Sequence, residues 1–168
     1  RNVRLMGKIT LRSWTNGVRI VQGPPINAST NNEIRGLTII SNNRYGVFMN
    51  GANVDANRIV SNSFIGASGP FWQDYGVAVF FGNRNVITNN RITGLQFYGV
   101  YFENAAASNR VVGNVIRSND SIGILLNDPA ADMNNISGNT LDGGPNKFQD
   151  SGIYLEDGDG NVVSNNVI

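Results

Sequence analysis

Cysteine and histidine are both absent from this 168-residue chain. Without cysteine there can be no disulfide framework and no thiolate metal site. Without histidine the commonest general base, the Ser-His-Asp triad and the usual zinc sites drop out. Charge is sparse as well. Thirteen Lys and Arg stand against twelve Asp and Glu, a net of +1, which favours neither a nucleic-acid nor a membrane partner. No apolar run approaches the length that spans a bilayer, and the opening segment is not signal-like. The first residue is Arg1, so the natural start, with any targeting signal on it, is expected to lie upstream. There is no phosphate-binding loop, and basic residues are not interleaved with aromatics as on a nucleic-acid surface.

What the chain does have is repetition. Hydrophobic residues make up 40% of it, enough for one globular core, and they recur in a fixed frame. An octad Asn-x-apolar-x-x-Asn-x-apolar begins at Asn57, Asn85, Asn109, Asn134 and Asn161. It also begins at Asn32, with Leu37 in place of the second Asn, and the segment from Asn2 keeps only the frame. Alternating with the octads is a Gly followed by apolar-x-apolar, at Gly17, Gly46, Gly76, Gly99, Gly123 and Gly152. From octad start to the next Gly is 14 residues in three coils, but 19 after Asn57 and 18 after Asn134. A constant frame with insertions in one connection is the sequence signature of a solenoid. Each short run alternates with period two, so each reads as a strand with one face inward.

The chemistry of the repeated positions fits that reading. Ile59 and Phe64, Ile87 and Ile92, Val111 and Ile116 would fill a narrow interior. Asn62, Asn90, Asn114, Asn139 and Asn166 would stack at a turn, bond to one another between coils, and take up left-handed backbone. The recurrent Gly would mark a bend where a Cβ crowds the next coil. These octads and Gly-Val/Ile strands resemble the repeats of right-handed parallel β-helix proteins in the pectate-lyase-like group. That group holds polysaccharide lyases, glycoside hydrolases, alginate epimerases and phage tailspikes. The resemblance implies an all-β, right-handed parallel β-helix of about six to seven coils, one domain over 1–168, as a fragment of a longer chain. It implies a polysaccharide partner in an extracellular, cell-surface or virion setting. The competing expectation is a non-catalytic tailspike or adhesin shaft, or a structural spacer. In the shaft, Phe48, Phe80 and Tyr101 are exposed and pack against the other subunits of a homotrimer. Further capping domains are expected because solenoid ends are open edges.

Alternation also places side chains. Residues two and four after each Gly should point outward. One outward row is then Arg19, Phe48, Ala78, Tyr101, Leu125, Tyr154; the other is Val21, Asn50, Phe80, Glu103, Asn127, Glu156. Rings beside carboxylates and amides on a flat sheet suit sugars, whose C–H faces stack on rings while their hydroxyls seek polar partners. Phe80, Tyr101, Asn127 and Tyr154 are the expected substrate contacts. Trp72 and Phe148, from the two Gly-Pro insertions, are the expected lips of a trough. Each insertion ends in a Gln-Asp pair, which brings Asp74 and Asp150 to the sheet. Glu103 and Glu156 share a column about 9–10 Å apart at one strand spacing per coil, near the upper limit for an inverting carboxylate pair. Glu103, Glu156, Asp74 and Asp150 are thus the catalytic candidates for hydrolysis. For uronate elimination or epimerisation, Tyr101 or Tyr154 would exchange protons and Arg44 or Lys147 would supply charge. The Tyr-Gly-x-Asp-Pro-His motif of alginate epimerases is missing, as are the Gly-His-Gly and Arg-Ile-Lys motifs of polygalacturonases. No metal site is expected, although calcium could sit near Asp157 and Asp159; a plain turn there is the simpler expectation. Three sequons begin at Asn27, Asn119 and Asn135. The first 60 residues hold eight Lys and Arg against Glu33 and Asp55, whereas 120–168 hold eight acids against Lys147. In a rod this makes a basic end and an acidic end.

Overall fold

The computed structural model describes residues 2–23, 27–66, 73–144 and 149–168. Among the described residues there is no helix, so none is long and apolar enough to cross a membrane. The strands form three sheets in which every pairing between strands is parallel and joins one coil to the next. Two sheets consist of three-residue strands. One runs in order from Arg4–Met6 to Val162–Ser164 and has seven strands. The other runs from Thr10–Arg12 to Thr140–Asp142 and has six. The third, long sheet has six strands of six residues, from Asn16–Val21 to Ser151–Glu156. Six stacked long strands are separated by five turns of the chain, a little short of the six to seven coils that counting repeats suggests. The architecture is a parallel β-solenoid.

Period-two alternation explains the interior. In each short strand only the middle residue faces in, and register stacks these into columns. Leu5, Ile34, Ile59, Ile87, Val111, Ile136 and Val163 form one. Leu11, Ile39, Phe64, Ile92, Ile116 and Leu141 form the second. Each long strand adds two inward residues, such as Val100 and Phe102, both fully buried. Each fully buried Ile, Leu or Phe contributes about 1.5–3 kcal/mol.

The corners hold the coils in register. Asn114 uses its whole hydrogen-bonding capacity. Its Oδ1 accepts the backbone N–H (2.9 Å) and the side-chain amide (3.0 Å) of Asn90. Its Nδ2 donates to the Ile87 carbonyl of the preceding coil (2.9 Å) and to Asn139 Oδ1 of the following one (3.0 Å). The same pattern runs through Asn62, Asn90, Asn139 and Asn166. Leu37 ends this ladder, and its N–H donates to Asn62 Oδ1 at 3.0 Å. The first Asn of each octad builds a second ladder through Asn32, Asn57, Asn85, Asn109, Asn134 and Asn161. The left-handed backbone expected at the ladder Asn belongs instead to the residue before it. Ser61, Asn89, Gly113 and Gly138 have φ between 54° and 67°, and Ala56, Arg84, Ser108 and Met133 between 54° and 57°. That residue makes the corner, so the Asn after it is already extended and aimed along the stack.

The recurrent glycines have the cause expected of them. A Cβ on Gly99 would lie 2.6 Å from the Gly123 carbonyl oxygen and 2.7 Å from an Ile116 methyl. Gly17, Gly46, Gly76 and Gly123 meet the next coil's carbonyl at 2.5–2.7 Å in the same way. The charge gradient is carried into the rod, since the chain advances one level per coil. Arg35 and Arg58 pair with Glu33, Arg84 with Asp55, and Arg117 with Asp142. These pairs involve exposed arginines and are worth little to stability.

Urea unfolding tests the frame. Asn114→Ala leaves buried donors and acceptors on two neighbouring coils unpaired, and should cost roughly 3–4 kcal/mol. Gly99→Ala should cost about 1–3 kcal/mol through overpacking, whereas Asn43→Ala, at an exposed asparagine, should stay within about 0.5 kcal/mol. Equal midpoints for the Asn114 and Asn43 variants would rule out the ladder as the source of register.

Candidate functional site

The long sheet bears a second apolar cluster on its outer surface, separate from the interior. Tyr45, Phe48, Ala78, Tyr101 and Leu125 form its base, with Tyr75, Phe80, Tyr98 and Ile122 packed against them. Ring contacts run through it without a break. Tyr45 stacks on Phe48 (4.5 Å between centroids) and on Tyr75 (5.0 Å), and Tyr75 stacks on Tyr101 (5.5 Å). Phe80 meets Phe48 edge-on at 5.3 Å and Tyr101 at 5.6 Å. Tyr98 lies 5.3 Å from Tyr101, and Phe97 lies 5.9 Å from Tyr75. Geometries of this kind are favourable beyond the area they bury.

Both outward rows lie on this face, as alternation requires, but the expected exposure is wrong for two of their rings. Phe48 is only 9% exposed and Tyr101 only 8%, because neighbouring rings lie over them. They are therefore not free to pack against other subunits in the way the shaft reading requires. The accessible surface comes from Phe97, which is exposed, and from the half-buried Tyr75, Phe80 and Tyr98. Four rings of the field, Tyr45, Tyr75, Phe97 and Tyr98, were missed by counting from the Gly onward. Tyr45, Tyr75 and Tyr98 each precede the strand Gly, where the bend interrupts strict alternation. The sequence signal was available: Tyr-Gly-Val occurs at 45–47, 75–77 and 98–100.

The catalytic candidates divide between the two edges of this face. Asp74 and Asp150 each sit one residue before a long strand, three coils apart, or about 14 Å at one strand spacing per coil. Glu103 and Glu156 end their strands on the opposite edge, with the Asn127 coil between them. Asp74 lies about 20 Å from the Glu103 edge, measured along the strands. The four do not converge on one point, and of the pairs the Glu103–Glu156 backbone spacing of about 9–10 Å comes nearest to the upper limit for an inverting pair. Glu103 is also the one with an oriented partner. The Tyr101 hydroxyl is close enough to Glu103 for each to act on the other, and it accepts the Asn127 side-chain amide at 3.3 Å. Asp150 and Glu156 are exposed, as is Tyr154. Trp72 and Phe148 lie outside the described residues.

The Gln of each Gln-Asp pair has a structural task that the sequence did not suggest. Gln73 is fully buried, and its Oε1 accepts from the Asn42 backbone and side chain at 3.3 and 3.2 Å. Gln149 Oε1 accepts from Asn119 Nδ2 at 3.3 Å. The two inserted coils thus rejoin a third corner ladder through Gln, and this fixes Asp74 and Asp150 at the sheet edge. Asn119 is fully buried in that ladder, so its sequon cannot accept a glycan in the folded chain.

Burial is the first cause of the electrostatics here. It raises the Asp74 carboxyl above the usual carboxylate range, against the opposing pull of Arg44. Tyr75 is pushed up to about 12 by burial, with Tyr45, Asp74 and Tyr98 adding to it. Tyr101 is raised further, by burial and then by the neighbouring Glu103. A phenol held protonated is a poor base, which works against Tyr101 as the proton acceptor of an elimination. Arg44 lies 5.1 Å over the Tyr45 ring and Arg19 lies 6.0 Å over Phe48. Both line a recess of about 290 Å³ with Asn16, Asn50, Tyr45, Phe48 and Phe80. Among the described residues no group of three or more acids converges to hold a metal. Asp157 has φ 54° in the turn after the last long strand, and Asp132 Oδ1 accepts the Asp159 N–H at 2.7 Å.

Three parallel sheets, one apolar column system and Asn-laddered corners define the class: a parallel β-helix whose longest sheet carries an aromatic outer face. Residues 8–168 match the family model described as the right-handed β-helix region, and the chain belongs to that family. A comparison with curated proteins finds no match.

Alkaline titration checks the packing of the face. Of the five tyrosines, Tyr75 and Tyr101 should stay protonated at pH 11, where an ordinary tyrosine near 10 has ionised. Both native values are raised, so the stability they contribute is present below the unfolded value and is lost as pH rises through the native one. Full ionisation of all five at pH 11, with the far-ultraviolet spectrum unchanged, would contradict the buried ring stack.

Proposed function

We propose that the outer face of the long sheet binds an extended polysaccharide along the solenoid axis, outside the cell. The observation that carries this reading is a continuous field of seven rings on the outside of a sheet, rimmed by Arg19, Arg44, Asn50, Asp74, Glu103 and Asn127. Rings that take C–H faces, beside groups that take hydroxyls, are what a sugar chain needs. A rigid scaffold supports them, so little ordering entropy is lost on binding. Membership of the β-helix family is consistent with a polysaccharide-related or a structural role.

Glycan-array screening followed by affinity electrophoresis on the bound polymer tests the proposal. Phe97→Ala and Tyr98→Ala should each weaken binding by about five- to tenfold, through loss of stacking, with the circular-dichroism spectrum unchanged. A chain that binds no glycan, or binds equally well after both changes, would support the spacer reading instead.

A hydrolytic role for the same face has one specific support, the oriented Glu103 two coils from Glu156. Reducing-end release from the bound polymer should then fall at least ~10²-fold in Glu103→Gln, as for loss of a general acid or base, with binding retained. Unchanged turnover in that variant would remove Glu103 from the chemistry.

A further inference from the structure

The recess at the first levels of the long sheet carries three features that the carbohydrate reading alone does not explain. First, Arg19 and Arg44 both line it, and among the described residues no carboxylate comes within 4 Å of either guanidinium. Each lies over a ring, Phe48 or Tyr45, which directs the charge without neutralising it. Asp74 is close enough for its carboxyl to feel Arg44 but does not pair with it. Second, Asn16 Oδ1 is buried with no hydrogen-bond partner among the described residues. A buried acceptor of that kind stays unfavourable until a donor reaches it. Third, the floor is apolar, made by Tyr45, Phe48 and Phe80.

Two unneutralised guanidiniums suit a planar anion, which the guanidinium fork can grip through paired bonds. The orphan acceptor asks for a hydroxyl, and the ring floor for a C–H face. A sugar bearing a carboxylate supplies all three. The rest of the face sets a limit on this. Three levels on from Arg19, and beside Phe80 at the far edge of the recess, Glu103 ends its strand, and Glu156 follows two levels later. A chain that is acidic at every unit would be repelled there.

We infer that the recess is the subsite for an acidic sugar within a heteropolysaccharide, whose intervening neutral sugars lie over the rings and the Glu103 edge. This deepens the carbohydrate reading and rests on it.

The test uses gellan, xanthan and hyaluronan, each with its carboxyl-reduced form, and polygalacturonate as the uniformly acidic polymer. At least one heteropolymer should bind roughly tenfold more tightly than its reduced form, and lose that advantage at high salt or in the double variant Arg19→Gln/Arg44→Gln. Polygalacturonate should bind more weakly than that heteropolymer. Asn16→Ala should lower affinity without lowering the urea midpoint, because its Oδ1 supports nothing in the free protein. The inference is overturned if no acidic heteropolymer is preferred to its reduced form, if the double variant binds like wild type, or if polygalacturonate binds best. Should the reduced polymers bind as well as the acidic ones while Phe97→Ala and Tyr98→Ala still weaken both, only the acidic subsite fails. Should nothing bind, the carbohydrate reading fails with it.

Discussion

Each ladder corner among the described residues holds a backbone N–H that must find an acceptor one coil away. Parallel strands are about 4.8 Å apart, so the acceptor has to span one level from a side chain at the equivalent position. Asparagine does this with one methylene and still has an amide to pass the bond on. Aspartate could accept but not donate, and serine could not reach both neighbours. The requirement repeats at two corners of nearly every coil, and the asparagine richness of the chain follows from it. Where the insertions bring the backbone back to the third corner, glutamine takes the same role.

Register fixed at the corners governs what the outside can do. Because Asn90 donates to Asn114 on one side and accepts from Asn62 on the other, Tyr98 lies beside Ile122 and Tyr75 beside Tyr98. A local Tyr-Gly dipeptide thereby becomes part of a ring field. The strand glycines contribute by clearing the bend, so that successive levels close to full contact. The face is built by the same constraint that builds the core.

That division decides how much could be read from the sequence. The octads and the strand glycines were legible because each answers a constraint repeated at every level, and repetition raises a pattern above chance. The second Asn ladder was in view but was treated only as frame. The left-handed residue was misplaced by one position, since Asn is a common occupant of that backbone while the corner here also accepts Ala56, Arg84 and Met133. The outward columns were legible from alternation, but the tyrosines before the glycines were not, because a bend breaks the alternation that the reading relied on. Exposure of Phe48 and Tyr101 was overestimated for a related reason: an outward side chain is exposed only if its neighbours do not cover it. Covering depends on ring-to-ring packing between coils, and no single strand carries that information. The roles of Gln73 and Gln149 were hidden because their partners stand about thirty residues away.

A frame this uniform also says where specificity must come from. Under the carbohydrate reading proposed above, one level of about 4.8 Å would meet about one sugar of an extended chain, so each coil would offer one position characterised by its outward residue. Along the row that starts at Arg19 the occupants pass from a cation through rings to Leu125 and Tyr154; along its neighbour they pass from Val21 and Asn50 to Glu103, Asn127 and Glu156. The ladder cannot vary without unpairing buried amides, whereas these outward positions can vary at small cost to the core. Under the same reading, substitution on the long sheet would change which unit is accepted at a given level without changing the spacing between levels. On that reading the basic-to-acidic gradient would become, on this face, an ordered series of different sites rather than a diffuse charge on a rod.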